Sequence, residues 1–129
     1  MKQTILVVDD EQDALDLLVF NLEQAGFAVL TARTGIEAAE QAARHRPALV
    51  ILDVILPEIH GLSVCERLRR DPATASTPII LLSGWDSDDA RRIGESAGAN
   101  DYIVKPFNLQ VLLQRINALL FADSAGTVT

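Results

Sequence analysis

Apolar and polar residues recur along the chain on two different periods, and the periods trade places five times. Short β-branched runs, "TILVVD" (4–9), "FAVLTA" (27–32), "ALVILD" (48–53), "TPIILLS" (77–83) and "NDYIVK" (100–105), each precede a longer amphipathic stretch. The pattern predicts a repeating strand-then-helix chain. The third and fourth runs are apolar almost without alternation, as expected for strands of a parallel sheet covered on both faces by helices. Right-handed crossovers follow from that arrangement.

Start and stop signals bound the helices. In "TGIEAAEQAARH" Thr34 and Glu37 stand three apart as a capping box, and in "DSDDARRIGESAG" Asp86 is the expected cap. Asp88 and Asp89 complement the dipole of that helix, and Gly98 closes it. In the last helix Asn108 is the expected cap, and Leu109, Leu112, Leu113, Ile116, Leu119 and Leu120 recur at a spacing that turns one face to a core. After Phe121 the sequence "ADSAGTVT" has little to bury. We therefore expect one domain over residues 1–121, and a flexible tail or the start of a linker over 122–129.

The strand ends carry the chemistry. In an open parallel sheet a ligand binds beyond the carboxyl ends of the strands, where the strand order reverses. The first run ends in Asp9 and Asp10, the third in Asp53, the fourth in Ser83 and the fifth in Lys105. Taken singly these residues have structural explanations: Asp10 could cap the first helix, Ser83 could satisfy a turn, and Lys105 could be solvated. Together they are harder to dismiss. Carboxylates a few ångströms apart repel by roughly 4 kcal/mol per close pair at an effective dielectric near 20, so three of them need a cation or stay partly protonated. A few hard oxygen ligands, with room left for waters and a phosphate oxygen, suit Mg²⁺ better than a caged Ca²⁺. No His or Cys stands at these strand ends, which argues against zinc, and His45 and His60 fall on a helix end and a loop as surface residues.

Composition narrows the setting. The 129 residues are 49% hydrophobic and 22% charged, a globular balance sufficient for one core and too short for two domains. The longest apolar runs fall short of the roughly 18 to 20 residues of a membrane span, and the N-terminal run is shorter than a signal-peptide core. A lone Cys65 cannot make an internal disulfide, so we expect a reducing, cytoplasmic setting with Cys65 inert in its helix. The net charge of −7 argues against direct nucleic-acid binding and for protein or cation partners.

Four separated motifs, "VVDDE", "LDVILPEIHGL", "LLSG" and "GANDYIVKPF", with Ser83 thirty residues after Asp53 and Lys105 a further twenty-two on, carry a family resemblance over residues 3 to 120. In that region the chain resembles the response regulator receiver domain of two-component signalling, of the chemotaxis-regulator kind. The resemblance implies a flavodoxin-like, doubly wound (βα)₅ fold with a five-stranded parallel sheet in the order 2-1-3-4-5. It implies that Asp53 is the phosphoryl acceptor, that Asp9, Asp10, Asp53 and the Ile55 carbonyl hold Mg²⁺ (Mn²⁺ being the alternative ion), and that Ser83 and Lys105 bind the phosphoryl oxygens. It further implies a cis bond between Lys105 and Pro106, and a switch in which Ser83 moves toward the phosphoryl group and Tyr102 occupies the space vacated. The face made by the fourth helix, fifth strand and fifth helix would report the switch.

The implied partners are a sensor histidine kinase or histidine phosphotransfer protein and a downstream protein or fused output domain, with a phosphorylation-dependent homodimer through charges such as Asp101 and Arg115 as a further expectation. Val111 and Glu95 fit that dimer poorly. Leu56 stands where Met is frequent, a volume-conserving change. Trp85 is more unusual: its ring beside Ile55 could roof the acyl phosphate and slow hydrolysis, or serve partner contact. Two readings compete with phosphotransfer. One is a degenerate receiver used as a scaffold, against which the complete acid set argues. The other is a phosphohydrolase of the haloacid dehalogenase type, which needs an acid two residues after the nucleophile, where this chain has Ile55.

Overall fold

The computed structural model describes residues 2–56 and 60–128, with side chains described through Phe121. Ten elements alternate: β1 (Thr4–Val8), α1 (Gln12–Gln24), β2 (Ala28–Ala32), α2 (Gly35–His45), β3 (Leu49–Asp53), α3 (Gly61–Arg70), β4 (Ile79–Ser83), α4 (Asp88–Ala97), β5 (Asp101–Val104) and α5 (Leu109–Val128). All five strands pair in parallel in the order β2-β1-β3-β4-β5, as the resemblance implies. The chain winds one way from β1 to β2 and the other way from β1 through β3 to β5, so the order reverses beside β1. Among the described residues no helix is long and apolar enough to cross a membrane.

The period-2 geometry of a strand explains the unbroken apolar runs. Ile5 and Val7 of β1, Leu49 and Ile51 of β3, and Ile80 and Leu82 of β4 face a core closed by Leu15, Leu18 and Leu22 of α1 and by Leu112 and Ile116 of α5. Their neighbours Leu6, Val8, Val50, Leu52, Ile79 and Leu81 face the opposite core, closed by Ala38 and Ala42 of α2, Val64, Cys65 and Leu68 of α3, and Ala97 of α4. Each buried aliphatic side chain contributes on the order of 1.5 to 3 kcal/mol, so both layers are needed to hold short strands together. Burial also pushes the Cys65 thiol up to about 11, which keeps it an unreactive thiol at neutral pH.

Most helix signals act where expected. Thr34 Oγ1 accepts the Glu37 N–H at 3.1 Å, although the Glu37 carboxylate reaches the Arg33 N–H at 3.5 Å rather than closing a reciprocal box on Thr34. Asn108 Oδ1 accepts the Gln110 N–H at 2.7 Å, and Gly98 ends α4 in the left-handed conformation with φ 110°. The expected cap at Asp86 is corrected: Ser87 caps α4, its hydroxyl accepting the Ala90 N–H at 3.0 Å. Asp86 lies one residue too early to reach that amide and its carboxylate instead stands 3.7 Å from Arg91 Nη2. The backbone of α5 leaves helical geometry at Phe121 (φ −122°, ψ 18°) and is helical again to Val128.

One long-range device holds β4 in place. Arg69 of α3 donates from Nε to the Gly98 carbonyl at 2.9 Å and from Nη1 to the Thr77 carbonyl at 2.7 Å, and Nη2 reaches Asn100 Oδ1 at 2.8 Å. The same Asn100 oxygen accepts the Ile79 N–H at 2.8 Å. The exit of α4 and the entry of β4 are thereby tied to one guanidinium. An Arg69→Lys substitution keeps the charge but not the planar fork, and should lower unfolding free energy by about 2 kcal/mol, read as a shifted urea midpoint with unchanged slope. A midpoint equal to wild type would contradict this role.

Candidate phosphoryl and metal site

The carboxyl ends of β1, β3, β4 and β5 meet at one edge of the sheet. Asp9 follows β1 directly; its N–H donates to the Ala32 carbonyl at 3.1 Å and its Oδ1 accepts the Glu11 N–H at 3.0 Å. That bond fixes the carboxylate at the start of α1, where the N-cap position belongs to Glu11 and no side chain caps it. Capping by Asp10 is therefore not what holds the acidic pair. Asp10 is exposed, and its carbonyl accepts from Arg33 Nη2 at 2.8 Å.

Asp53 ends β3, and its Oδ1 accepts the Ile55 N–H at 3.2 Å, folding the chain back over the carboxylate. Gly61 makes this turn close. Its N–H donates to the Val54 carbonyl at 2.8 Å, and a Cβ there would lie 2.8 Å or less from the Asp53 carbonyl oxygen and Val54 backbone atoms. A side chain at this position would push α3 away from the strand that carries Asp53. Pro57, Glu58 and Ile59 of the same motif lie outside the described residues.

One carboxylate oxygen each from Asp9, Asp10 and Asp53 can be chosen so that all three lie within 4.8 Å of one another. Asp9 and Asp53 are buried, at 3% and 8% of their free exposure. Lys105 Nζ is 3.0 Å from Asp53 Oδ2 and 3.7 Å from Asp9 Oδ2. Burial raises the Asp9 carboxyl above its ordinary range; the Glu11 N–H opposes this, the Asp53 charge adds to it, and Lys105 counters. For Lys105 burial pulls the ammonium down, but the hydrogen bond and charge of Asp53, with Asp9 and Glu11 behind them, outweigh burial and hold it above its ordinary value. One amine facing three carboxylates leaves an excess of two negative charges. The donor set is all oxygen, so the cluster is poised to coordinate a hard divalent cation such as Mg²⁺.

Ser83 is buried at the end of β4, and its Oγ accepts the Trp85 N–H at 3.1 Å. Its carbonyl accepts the Lys105 N–H at 2.7 Å, which joins the two strand ends. The Lys105–Pro106 peptide is cis, as expected. The ring of Tyr102 lies buried, with its hydroxyl donating to the Trp85 carbonyl at 2.8 Å and the Arg91 guanidinium 5.5 Å above its centre.

Trp85 and Ile55 are more than half exposed, and the Trp85 ring stacks on His60 with centroids 6.5 Å apart. His60, expected only as a surface residue, is exposed but also caps α3, its Nδ1 accepting the Leu62 N–H at 3.2 Å. The expected intermolecular charges Asp101 and Arg115 pair within the chain at 3.4 Å.

Comparison with known proteins agrees with this geometry. The family model of the response regulator receiver domain matches residues 5–117. The DNA-binding dual master transcriptional regulator RpaA of Synechocystis is 40% identical over 116 residues, covering 90% of this chain and 48% of that protein. This chain spans about half the length of the curated relatives it matches. The BeF3-activated N-terminal receiver domain of Klebsiella pneumoniae RstA superposes with a TM-score of 0.85 at 34% identity, over 92% of this chain and 98% of that one. The receiver domain of the sensor histidine kinase PA1611 of Pseudomonas aeruginosa, solved with magnesium coordinated in its active-site cleft, gives 0.86 at 28% identity over 93% and 98%. Sequence, fold and acidic edge thus agree: this chain belongs to the response regulator receiver domain family.

Proposed function

We propose that Asp53 accepts a phosphoryl group from a phosphohistidine on a sensor kinase or phosphotransfer protein. A carboxylate oxygen of Asp53 bonds to phosphorus, the phosphorus–nitrogen bond breaks, and imidazole departs with the electron pair and gains a proton. The observation that carries this reading is the buried Asp53 carboxylate held 3.0 Å from the Lys105 amine beside two further acids. Lys105 offsets charge on the transferred oxygens, and the Ser83 hydroxyl is the second donor to them. Mg²⁺, or Mn²⁺ in its place, held by Asp9, Asp10, Asp53 and the Ile55 carbonyl, supplies the remaining charge neutralisation when bound.

A recess adjoins the acidic edge. A cavity of about 490 Å³ runs from Asp9 and Lys105 between α1 and the turn before α5, walled by Ala14, Leu17, Leu18 and Phe107. Receiver domains are phosphoacceptors rather than turnover enzymes, and in this chain Ile55 stands where an acid–base group would speed hydrolysis. Persistence of the acyl phosphate is what a switch acting through Ser83 and Tyr102 on the α4–β5–α5 face requires. The output is a downstream protein or an effector domain joined after residues 122–129, in a cytoplasmic setting. A homodimer through Asp101 and Arg115 would have to exchange the pair they make within one chain.

Incubation with Mg²⁺ and acetyl phosphate should add the mass of one phosphoryl group, and Asp53→Asn should abolish the gain. Lys105→Met should slow it by roughly a hundredfold, the scale of losing one charge-stabilising donor. No gain in the wild type would favour the scaffold, and continuous phosphate release far beyond one equivalent would favour a phosphohydrolase.

The metal reading has its own check in stability. Because the folded pKa of Asp9 is raised, the folded state holds its proton more tightly than the unfolded chain, so the Asp9 contribution to stability falls as pH rises from 3.8 through the raised value. Lys105, raised as well, keeps its contribution until pH passes 10.5 and approaches its higher folded value. In metal-free buffer at pH 7, Asp9→Asn should be at least as stable as wild type, and its advantage should shrink toward acid pH. Mg²⁺ at a hundredfold excess over its dissociation constant should stabilise wild type by about 2.7 kcal/mol and the variant far less. Equal stabilisation of both proteins would remove Asp9 from the ligand set.

A further inference from the structure

Trp85 touches three separate parts of the molecule. Its N–H donates to Ser83 Oγ at 3.1 Å, its carbonyl accepts from Tyr102 Oη at 2.8 Å, and its ring stacks on His60 with planes inclined by 21°. His60 is itself fixed, because its Nδ1 accepts the Leu62 N–H and the next residue, Gly61, lies against the backbone of Asp53 and Val54. The stack therefore joins the helix seated on the Asp53 strand to the residue whose backbone stands between Ser83 and Tyr102.

That placement has a mechanical consequence. Ser83 and Tyr102 are both buried on the adjacent strands β4 and β5, and one residue's N–H and carbonyl connect their hydroxyls. When Ser83 Oγ itself shifts toward a new partner, the Trp85 N–H must follow or lose its acceptor. A residue on an open loop could absorb that change by swinging its ring into solvent. The stack of the Trp85 ring, 52% exposed, on His60 opposes that swing and leaves the carbonyl that accepts from Tyr102 as the other outlet. On the far side Arg91 grips the tyrosine, with its guanidinium over the ring and Nη1 donating to the Tyr102 carbonyl at 3.2 Å.

We propose that the His60–Trp85 stack is a positioning clasp that sets how much of an event at Asp53 and Ser83 reaches Tyr102. The proposal rests on the phosphoacceptor reading of Asp53, and goes beyond it by assigning His60 and the Trp85 ring a part in transmission rather than in phosphoryl transfer. Two substitutions separate the stack from the helix cap. His60→Asn keeps a side-chain acceptor at the N-cap and removes the ring; His60→Phe keeps a ring and removes the acceptor.

The chain has one tyrosine and one tryptophan, so each gives a single signal. With fluorotyrosine at position 102, the full chain is treated with Mg²⁺ and acetyl phosphate, and phosphoryl occupancy is read by mass. At equal occupancy the fluorine resonance should be displaced alike in wild type and His60→Phe, and by about twofold less or smaller still in His60→Asn. Equal displacement in all three proteins would overturn the clasp. So would a displacement lost in His60→Phe and kept in His60→Asn, since the cap and not the stack would then be the cause. A wild type that gains no phosphoryl mass would instead overturn the phosphoacceptor reading, and the clasp with it.

Discussion

Three carboxylates and one amine share the carboxyl edge of a five-stranded sheet, and the rest of the molecule is arranged around that imbalance. Lys105 reaches Asp53 and Asp9 but cannot neutralise three acids, and the edge keeps two negative charges in excess. Burial makes the excess more costly, as the raised Asp9 carboxyl shows. An edge built this way favours whatever brings positive charge to it; a divalent ion fits both the charge and the oxygen-only donors, and its charge would offset the further negative charge of a phosphoryl group.

Such an edge survives only on a scaffold that does not yield to its repulsion. The strands are four or five residues long, so their stability comes from the two apolar layers rather than from ladder length. Neighbouring strand ends are also cross-tied: the Val54 N–H donates to the Leu82 carbonyl at 3.0 Å and the Lys105 N–H to the Ser83 carbonyl at 2.7 Å. Gly61 lets α3 sit directly on the Asp53 turn, and Arg69 holds the start of β4 from below. The buried acids Asp9 and Asp53 are thereby delivered at the ends of packed, cross-tied strands.

Much of this was legible in the sequence because it depends on local periodicity. The five strands, the two-sided burial of β3 and β4 and the convergence of Asp9, Asp10, Asp53, Ser83 and Lys105 follow from residue type and spacing alone. What escaped depends on tertiary geometry. Arg69 looks like any exposed helix arginine until its carbonyl partners, up to twenty-nine residues away, are brought to it. His60 caps a helix only through a tautomer with a free Nδ1, for which its residue type is no signal. Asp86 and Ser87 are both good caps, and a shift of one residue in the helix start decides between them. Asp101 and Arg115 stand fourteen residues apart, and only the placement of α5 beside β5 brings their side chains to 3.4 Å within one chain.

The division between rigid and yielding parts also explains where a switch can be built. Side chains in the two apolar layers cannot move singly without opening cavities worth several kcal/mol, so a signal cannot pass through them in small steps. The contacts around Trp85 are of another kind: two hydrogen bonds, one aromatic stack and, beyond Tyr102, one cation–π contact, each worth roughly 1 kcal/mol and each exchangeable for a similar contact nearby. A network of small, comparable terms can hold two arrangements close in free energy, which is what the proposed switch requires. On the proposed reading the charged edge supplies the input, the apolar layers prevent it from dissipating, and the Trp85 backbone, bonded to both the Ser83 and the Tyr102 hydroxyls, is where the response begins.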